Sequence, residues 1–507
     1  MKAYLMYPDQ DFDVSAALGK NAKELYQDLE LGVILDAMAG GDEFLRDIAG
    51  RGLLGILKTP QAIEYRQQIL IDCLEQPAVI RQLYSLAVEA IEAEKHVYHS
   101  IFSNYPSSVL RTSMESLKIL VKVLRKLRQV ADDNATSFRS PGFTRFFGML
   151  ADQLDDEYFS TIANHLKTLE FRNGVLISAG LGKANQGTNF TLRSPETNQQ
   201  NWLERLFNQD RSTLTFQISD RDESGFRALA ELKDRGINLV ANALARADDH
   251  ILSFFSLLRA ELGFYVGALN LREKLSGKGQ QICLPKPEAM TAELCLSLCG
   301  LCDASLVLTS SRQVVGNDVG GDGKALVMVT GANEGGKSTF LRSVGIAQLM
   351  MQAGLFVVAT YYSSSVCDGI FTHYKREEDT SLVSGKLDEE LARMSAIADE
   401  ISPNCMLLFN ESFAATNERE GSGIARDIVL ALLKSRIRVF FVTHLYDLAR
   451  GLYGQDLPEA LFLQAERQDD GKRTFKLVAG EPTATSYGED LYRKIFTSEV
   501  PERVQRA

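Results

Sequence analysis

No run of about 18 apolar residues, the length a membrane-spanning helix needs, is expected anywhere in the chain. The opening segment, Met1 to Asp11, has no apolar core followed by a cleavage site, which argues against a secretory leader. Positive charge is in deficit: 55 Lys and Arg stand against 66 Asp and Glu, for a net charge of −11. That balance argues against a polybasic protein that coats nucleic acid indiscriminately, although local basic faces remain open. Cysteine is sparse and odd in number, with 7 in all, as expected for reduced thiols in the cytoplasm. Neither a repeat of fixed period nor a low-complexity tract is present. What remains is an ordinary globular composition, 45% hydrophobic and 24% charged over 507 residues, enough for about three domains.

The chain is organised around Ala325 to Met351. Ala325-Leu-Val-Met-Val-Thr330 is a short apolar run that suits a buried strand. Phe340, Leu341, Val344, Ala347 and Met351 then recur at helical spacing. Between them lies Gly331-Ala332-Asn333-Glu334-Gly335-Gly336-Lys337-Ser338-Thr339, which carries the Gly-x-x-x-x-Gly-Lys-Ser pattern in a strand–loop–helix context. Glycines let the backbone wrap a polyphosphate with its N–H groups turned inward. The helix that follows presents its positive end to the anion. Lys337 can then reach the β- and γ-phosphates, and the Ser338 hydroxyl can ligate Mg²⁺. The pattern therefore predicts an ATP site built from Gly331 to Thr339.

Residues 1–107 read as a helical core domain, with Pro60 at a helix start. Residues 108–276 read as a helical lever or arm with a β insert near 171–193, where β-branched runs flank a glycine-rich turn. Lys118, Lys122, Arg125 and Lys126 share one side of a helix there, either a phosphate-contacting face or a solvated one. Gly277-Lys-Gly-Gln-Gln281 reads as a linker. From 284 to 507 apolar strands alternate with helices, the mark of a mostly parallel α/β sheet. Its expected strands are Ala325–Thr330, Cys405–Phe409, Val439–Thr443 and Thr474–Val478. The fold class is thus multidomain: an all-α core and lever region with a small β insert, then a C-terminal α/β P-loop domain. Cys295-x3-Cys299-x2-Cys302 has a spacing similar to the cluster loop of radical SAM enzymes. Its apolar setting favours cysteine as a small hydrophobe.

Two further strands end in polar residues. Met406-Leu-Leu-Phe-Asn410-Glu411 sets Glu411 where P-loop ATPases polarise the attacking water, and sets Asn410 where an Asp usually helps order Mg²⁺. Val439-Phe-Phe-Val-Thr-His444 ends in a histidine placed to sense the γ-phosphate. Catalytic roles are accordingly expected for Glu411, His444 and Lys337, with Ser338, Asn410 and Glu411 around the metal.

Thr330 to Arg342, with Leu349-Met-Met-Gln-Ala-Gly-Leu-Phe-Val357, resembles the P-loop segment of the MutS DNA mismatch repair ATPases, of the ABC ATPase class. Phe371-Thr-His373 followed by Leu382-Val-Ser384-Gly385 resembles their signature segment. Phe413-Ala-Ala-Thr416-Asn417, Thr443-His444 and Ser486-Tyr487-Gly488 match later motifs in order. The resemblance is specific from about Gly316 to Tyr492 and weaker before Leu284. It implies a cytoplasmic homodimer with composite ATP sites, in which Ser384 and Gly385 complete the partner's site, with no membrane. It further implies ATP with Mg²⁺ as cofactors, Asn317 near the base, and ATP-gated binding of double-stranded or branched DNA.

Three departures bear on function. The chain begins at what resembles the core domain, so mismatch-reading and connector domains are not expected. Its one Phe-x-Glu, Phe409-Asn-Glu411, lies in the strand before the catalytic turn and is not a mismatch reader. Asn410 lacks the expected negative charge, and Lys386 and Leu387 replace the usual signature residues. The leading expectation is a MutS-type ATPase gating a DNA clamp in mismatch repair or recombination. Its rivals are a nucleotide-controlled scaffold with little hydrolysis, a MutS-like ATPase acting on structured RNA or ribosomes, and an ABC transporter subunit.

Overall fold

A computed structural model describes residues 1–96, 105–172, 174–183, 186–193, 218, 222–290, 293–376, 385–468 and 473–483. Contacts divide the chain into two compact units. One takes Met1–Ala3, Arg81–Ser137 and Thr144–Arg259; the other takes Tyr4–Ile80, Phe138–Phe143 and Ala260–Ala507. The first helices therefore group with the C-terminal α/β part, whereas the sequence reading drew a boundary at 107/108. Hydrogen bonds from distant segments account for that grouping. Tyr265 donates to Leu5 O and Leu57 N to Gln352 O.

The described helices begin with α1 (Ala22–Asp28), α2 (Leu31–Ala39), α3 (Glu43–Leu54), α4 (Pro60–Glu75) and α5 (Pro77–Lys95). Pro60 is at the start of α4, capped by the Thr59 hydroxyl, because a missing N–H costs nothing there. The sequence continues with α6 (Pro106–Asn134), α7 (Pro141–Gln153), α8 (Asp156–Leu169), β1 (Leu176–Leu181), β2 (Gly187–Arg193) and α9 (Glu223–Ser276). Strands β1 and β2 pair antiparallel, within the segment where β-branched runs flank a glycine-rich turn. In α6 the four basic residues are largely answered within the protein. Lys118 pairs with Glu170, Lys126 with Glu89, and Arg125 lies over the Phe159 ring.

Within α9 an 18-residue stretch reaches a mean hydropathy of 1.3 and is 72% buried inside the protein. By length and mean composition it could cross a membrane, yet Ser253, Ser256, Arg259 and Glu261 interrupt it, so it is not an unbroken apolar run. The burial is that of a core helix.

The α/β part contains β3 (Lys286–Glu288), β4 (Leu296–Leu301), α10 (Ala304–Thr309), β5 (Asn317–Gly320), β6 (Leu326–Gly331), α11 (Lys337–Gln352), β7 (Tyr361–Ser365) and β8 (Ile370–Tyr374). It ends, among the described residues, with α12 (Lys386–Glu400), β9 (Met406–Asn410), α13 (Glu418–Lys434), β10 (Arg438–Val442), α14 (Tyr446–Tyr453), β11 (Ala460–Arg467) and β12 (Arg473–Ala479). Six strands form one sheet in the order β12-β11-β6-β10-β9-β8, parallel except for the β11–β12 pair. A second sheet, β3-β7-β4-β5, is mixed.

Central strands of a parallel sheet are covered on both faces, so they read as unbroken apolar runs. Leu326, Met328, Leu407, Phe409, Val439 and Phe441 face one core with Phe413, Val429 and Leu448. Phe409 and Phe441 stack there at 4.7 Å. Their neighbours along each strand turn to the opposite face, where α11 packs closely enough that a Cβ on Gly345 would lie 2.7 Å from Leu408. The C-terminal ends of β6, β9 and β10 thereby converge, because β10 pairs in register with both others.

Candidate active site

The site forms where those three strand ends meet. After β6 the chain turns through Gly331 at φ +105° and Gly336 at φ +87°, left-handed values that a side chain resists. A Cβ on Gly331 would also stand 2.9 Å from Ala465 N on β11. Glu334 takes φ +57° as well, at a cost of about 1–2 kcal/mol for a residue that is not glycine. The loop ends at the first turn of α11, whose leading N–H groups have no partner within the helix. Arg473 of β12 donates to Asn333 O at 3.2 Å and so fastens the outer side of the loop.

Lys337 is 5% exposed and donates to Gly331 O at 3.1 Å and Ala332 O at 2.9 Å. Burial pulls its ammonium down to about 8, while the charge of Glu411 opposes that shift. Ser338 Oγ donates to Asn410 Oδ1 at 2.9 Å. Strand β9 hands the chain directly to Glu411, whose φ is +54°. Its carboxylate accepts from His444 Nε2 at 2.9 Å. That hydrogen bond, with Lys337 and Lys375 nearby, holds the Glu411 carboxyl below the ordinary glutamate range.

Three separate strand ends thus bring Lys337, Ser338, Asn410, Glu411 and His444 together. The arrangement fits a triphosphate and a divalent cation on chemical grounds. It combines a loop with backbone turned by positive φ, a buried ammonium held back only by two carbonyls, and adjacent hydroxyl and amide oxygens. Thr339 follows Ser338 in the same first turn, and Ala332 and Gly335 are buried within the loop. Gly385 is exposed at the N-terminal cap of α12, while Ser384 and Ser486-Tyr487-Gly488 lie outside the described residues. Asn317, expected near the base, lies at the start of β5. Its amide donates to Phe475 O and accepts from Leu477 N, so both ends tie β5 to β12.

Among the cysteines, Cys295 Sγ contacts Ser363 Oγ, and Cys302 Sγ contacts Gln280 Oε1. Sequence reasoning did not single out Arg473 or Lys375. Each acts on the site from a strand end or a loop that no motif pattern covers.

Residues 58–278 match the model of the MutS2 N-terminal domain, and residues 327–506 match MutS domain V. A DNA mismatch repair protein MutS from Prochlorococcus marinus (strain MIT 9301) is 26% identical over 302 residues, covering 59% of this chain and 32% of that protein. An Endonuclease MutS2 from Lacticaseibacillus casei (strain BL23) is 30% identical over 208 residues, covering 40% of this chain and 26% of its own. MutS protein homolog 4 of Mus musculus is 28% identical over 186 residues, covering 37% and 19% respectively. The chain spans about a third or less of the length of these curated relatives. With both domain matches in chain order and the loop of Gly331–Thr339 inside the second, the chain belongs to the MutS family.

Proposed function

We propose that this chain is an ABC-class P-loop ATPase that hydrolyses ATP to ADP and phosphate and uses the nucleotide state to control binding of double-stranded or branched DNA. The observation that carries the reading is the convergence of Lys337, Ser338, Asn410 and the Glu411–His444 pair on one loop. Gly331 to Thr339 would hold the phosphates, with Lys337 exchanging its two carbonyl partners for phosphate oxygens. Ser338 and Asn410 would hold Mg²⁺, with Glu411 beside them; the ion supplies charge neutralisation at the phosphates. Glu411 would orient and polarise the attacking water, kept ionised by His444, and His444 would also face the γ-phosphate. Hydrolysis is slow in this reading, because Asn410 offers an oxygen without a charge.

The proposal extends to a cytoplasmic homodimer in which Ser384 and Gly385 complete the partner's ATP site. Residues 108–276 would serve as the arm that meets DNA, 1–107 as the helical core and 284–507 as the ATPase domain. The family match and the names of the relatives support DNA as the nucleic acid.

ATP turnover of the purified protein tests this, alone and with homoduplex, mismatched and branched DNA and structured RNA at one fixed salt, since phosphate-driven affinity falls steeply with salt. Stimulation by a DNA structure, absent in Lys337→Ala, is the expected result. Turnover unchanged in Lys337→Ala overturns the site. Stimulation by RNA alone moves the substrate to RNA. Nucleotide binding without turnover in the wild type favours a nucleotide-controlled scaffold.

A further inference from the structure

Behind Glu411 lies a buried cluster that the ATP site itself does not use. The turn Glu411-Ser412-Phe413 is strained: Glu411 and Phe413 take φ of +54° and +64°. Backbone of that kind persists only where the surroundings over-determine it. Here α12 and β8 supply the constraint. The Glu390 carboxylate of α12 accepts from Phe413 N at 2.7 Å. His373, at the end of β8, stands 2.7 Å from Ser412 Oγ through Nδ1 and 2.9 Å from Glu390 O through Nε2. Its ring stacks on Phe413 at 5.2 Å with the planes 17° apart. Arg393 of α12 donates to Tyr374 O at 2.6 Å. Glu390 and His373 are 8% and 1% exposed, and Ser412 is fully buried.

The protonation pattern is set by the partners. Glu390 O is a carbonyl and only accepts, so His373 carries its proton on Nε2 and donates there. Nδ1 of the neutral ring then accepts from the Ser412 hydroxyl. Ser412 Oγ also lies 2.6 Å from His373 O, and its one proton serves either acceptor. Burial holds the imidazole down to about 4, so the neutral form is the working one across the physiological range.

We propose that Glu390 and His373 are positioning residues for ATP hydrolysis: together they fix the Glu411–Phe413 turn, so that the aim of the Glu411 carboxylate depends on where α12 sits. This rests on the ATPase reading above. It goes beyond that reading in assigning the rate of the chemical step to side chains that touch neither nucleotide nor metal. The two act as one unit, because the Glu390 carbonyl holds the His373 ring and the Glu390 carboxylate holds the Phe413 amide. Since α12 begins just after Gly385, anything that displaces that end of the helix changes hydrolysis in the same chain.

The test compares Glu390→Ala with Glu390→Gln, which keeps an oxygen to accept from Phe413 N–H. It reads kcat, KM, equilibrium affinity for ATP, and amide exchange of the 411–413 segment. Glu390→Ala is expected to lose 10- to 100-fold in kcat, with ATP affinity within twofold of wild type and exchange at Phe413 at least tenfold faster. Glu390→Gln is expected to recover kcat to within about fivefold, and His373→Phe to fall with Glu390→Ala. Equal loss in the Ala and Gln variants, or loss of ATP affinity along with kcat, overturns the positioning role in favour of a plain stability role. Faster exchange with unchanged kcat overturns it too. If the wild type binds ATP but does not turn it over, the ATPase reading has failed and the positioning role falls with it. The exchange comparison still shows whether the Glu390–Phe413 tie exists, so the two failures are distinguishable.

Discussion

Replacing Lys337 by methionine should change how folding stability depends on pH, in a direction fixed by burial. The Lys337 ammonium is nine-tenths buried and its ionisation is pulled down to about 8 from an ordinary 10.5. Below pH 8 lysine is protonated in both folded and unfolded chains, and the full cost of burying the charge is present. Between pH 8 and 10.5 the unfolded chain binds the proton more tightly than the folded one, so stability rises with pH. Integrating that difference from pH 7 to pH 10 gives about 2.5 kcal/mol in favour of the wild type. The thioether of the Lys337→Met variant does not titrate and carries no such term, so the remaining titrations cancel in the comparison. Urea unfolding of both proteins without nucleotide at pH 7, 8, 9 and 10 measures it. The stability gap between wild type and Lys337→Met should move by about 2.5 kcal/mol toward the wild type across that range. A gap that stays constant within about 0.5 kcal/mol would refute the argument that the ammonium bears a desolvation cost. The same linkage predicts proton uptake when ATP binds near pH 8.5, visible as a dependence of the calorimetric enthalpy on the buffer.

Two further perturbations follow from the same geometry. Asn410→Asp places a carboxylate at the oxygen that accepts from Ser338 at 2.9 Å; it should lower the Mg²⁺ concentration for half-maximal turnover about tenfold, since charge-assisted contacts are worth roughly twice neutral ones, and an unchanged Mg²⁺ requirement speaks against Asn410 as a metal neighbour. His444→Ala removes the donor that keeps the Glu411 carboxyl low; the acidic limb of the rate profile should shift to higher pH and kcat fall about 10- to 100-fold, whereas an unshifted limb separates Glu411 ionisation from His444.

Much of the site was readable because its chemistry is local. Gly331 to Thr339 is contiguous, and Asn410, Glu411 and His444 each follow an unbroken apolar run that only a doubly buried strand needs. The four expected strands lie within one residue of those observed, three of them for the same reason; the fourth, Arg473–Ala479, is a half-exposed edge strand. What escaped the reading depends on distance in the chain. The second sheet is short, and Tyr361-Tyr-Ser-Ser-Ser365 is polar in composition. All of it but Tyr361 is buried nonetheless; Ser365 accepts from Cys295 N, and the backbone pairs with β4. Glu390 looks like any acidic residue near a helix start. Only the fold brings it under Phe413 N. The grouping of residues 4–80 with the α/β part is likewise tertiary, resting on contacts such as Tyr265 to Leu5 O and Arg66 to Ala353 O. In α9 the apolar residues are numerous but interrupted, and packing buries them as core.

The most direct test of the central claim is the pairing of ATP affinity with single-turnover hydrolysis in Glu411→Gln. Gln keeps the size of the side chain and a hydrogen-bonding oxygen for His444 but cannot polarise water as a carboxylate does. Hydrolysis slowed about 100-fold or more, with ATP still bound within a fewfold of wild-type affinity, is the predicted result. Single-turnover hydrolysis at the wild-type rate would contradict the account, because the water would then be activated without the Glu411 carboxylate.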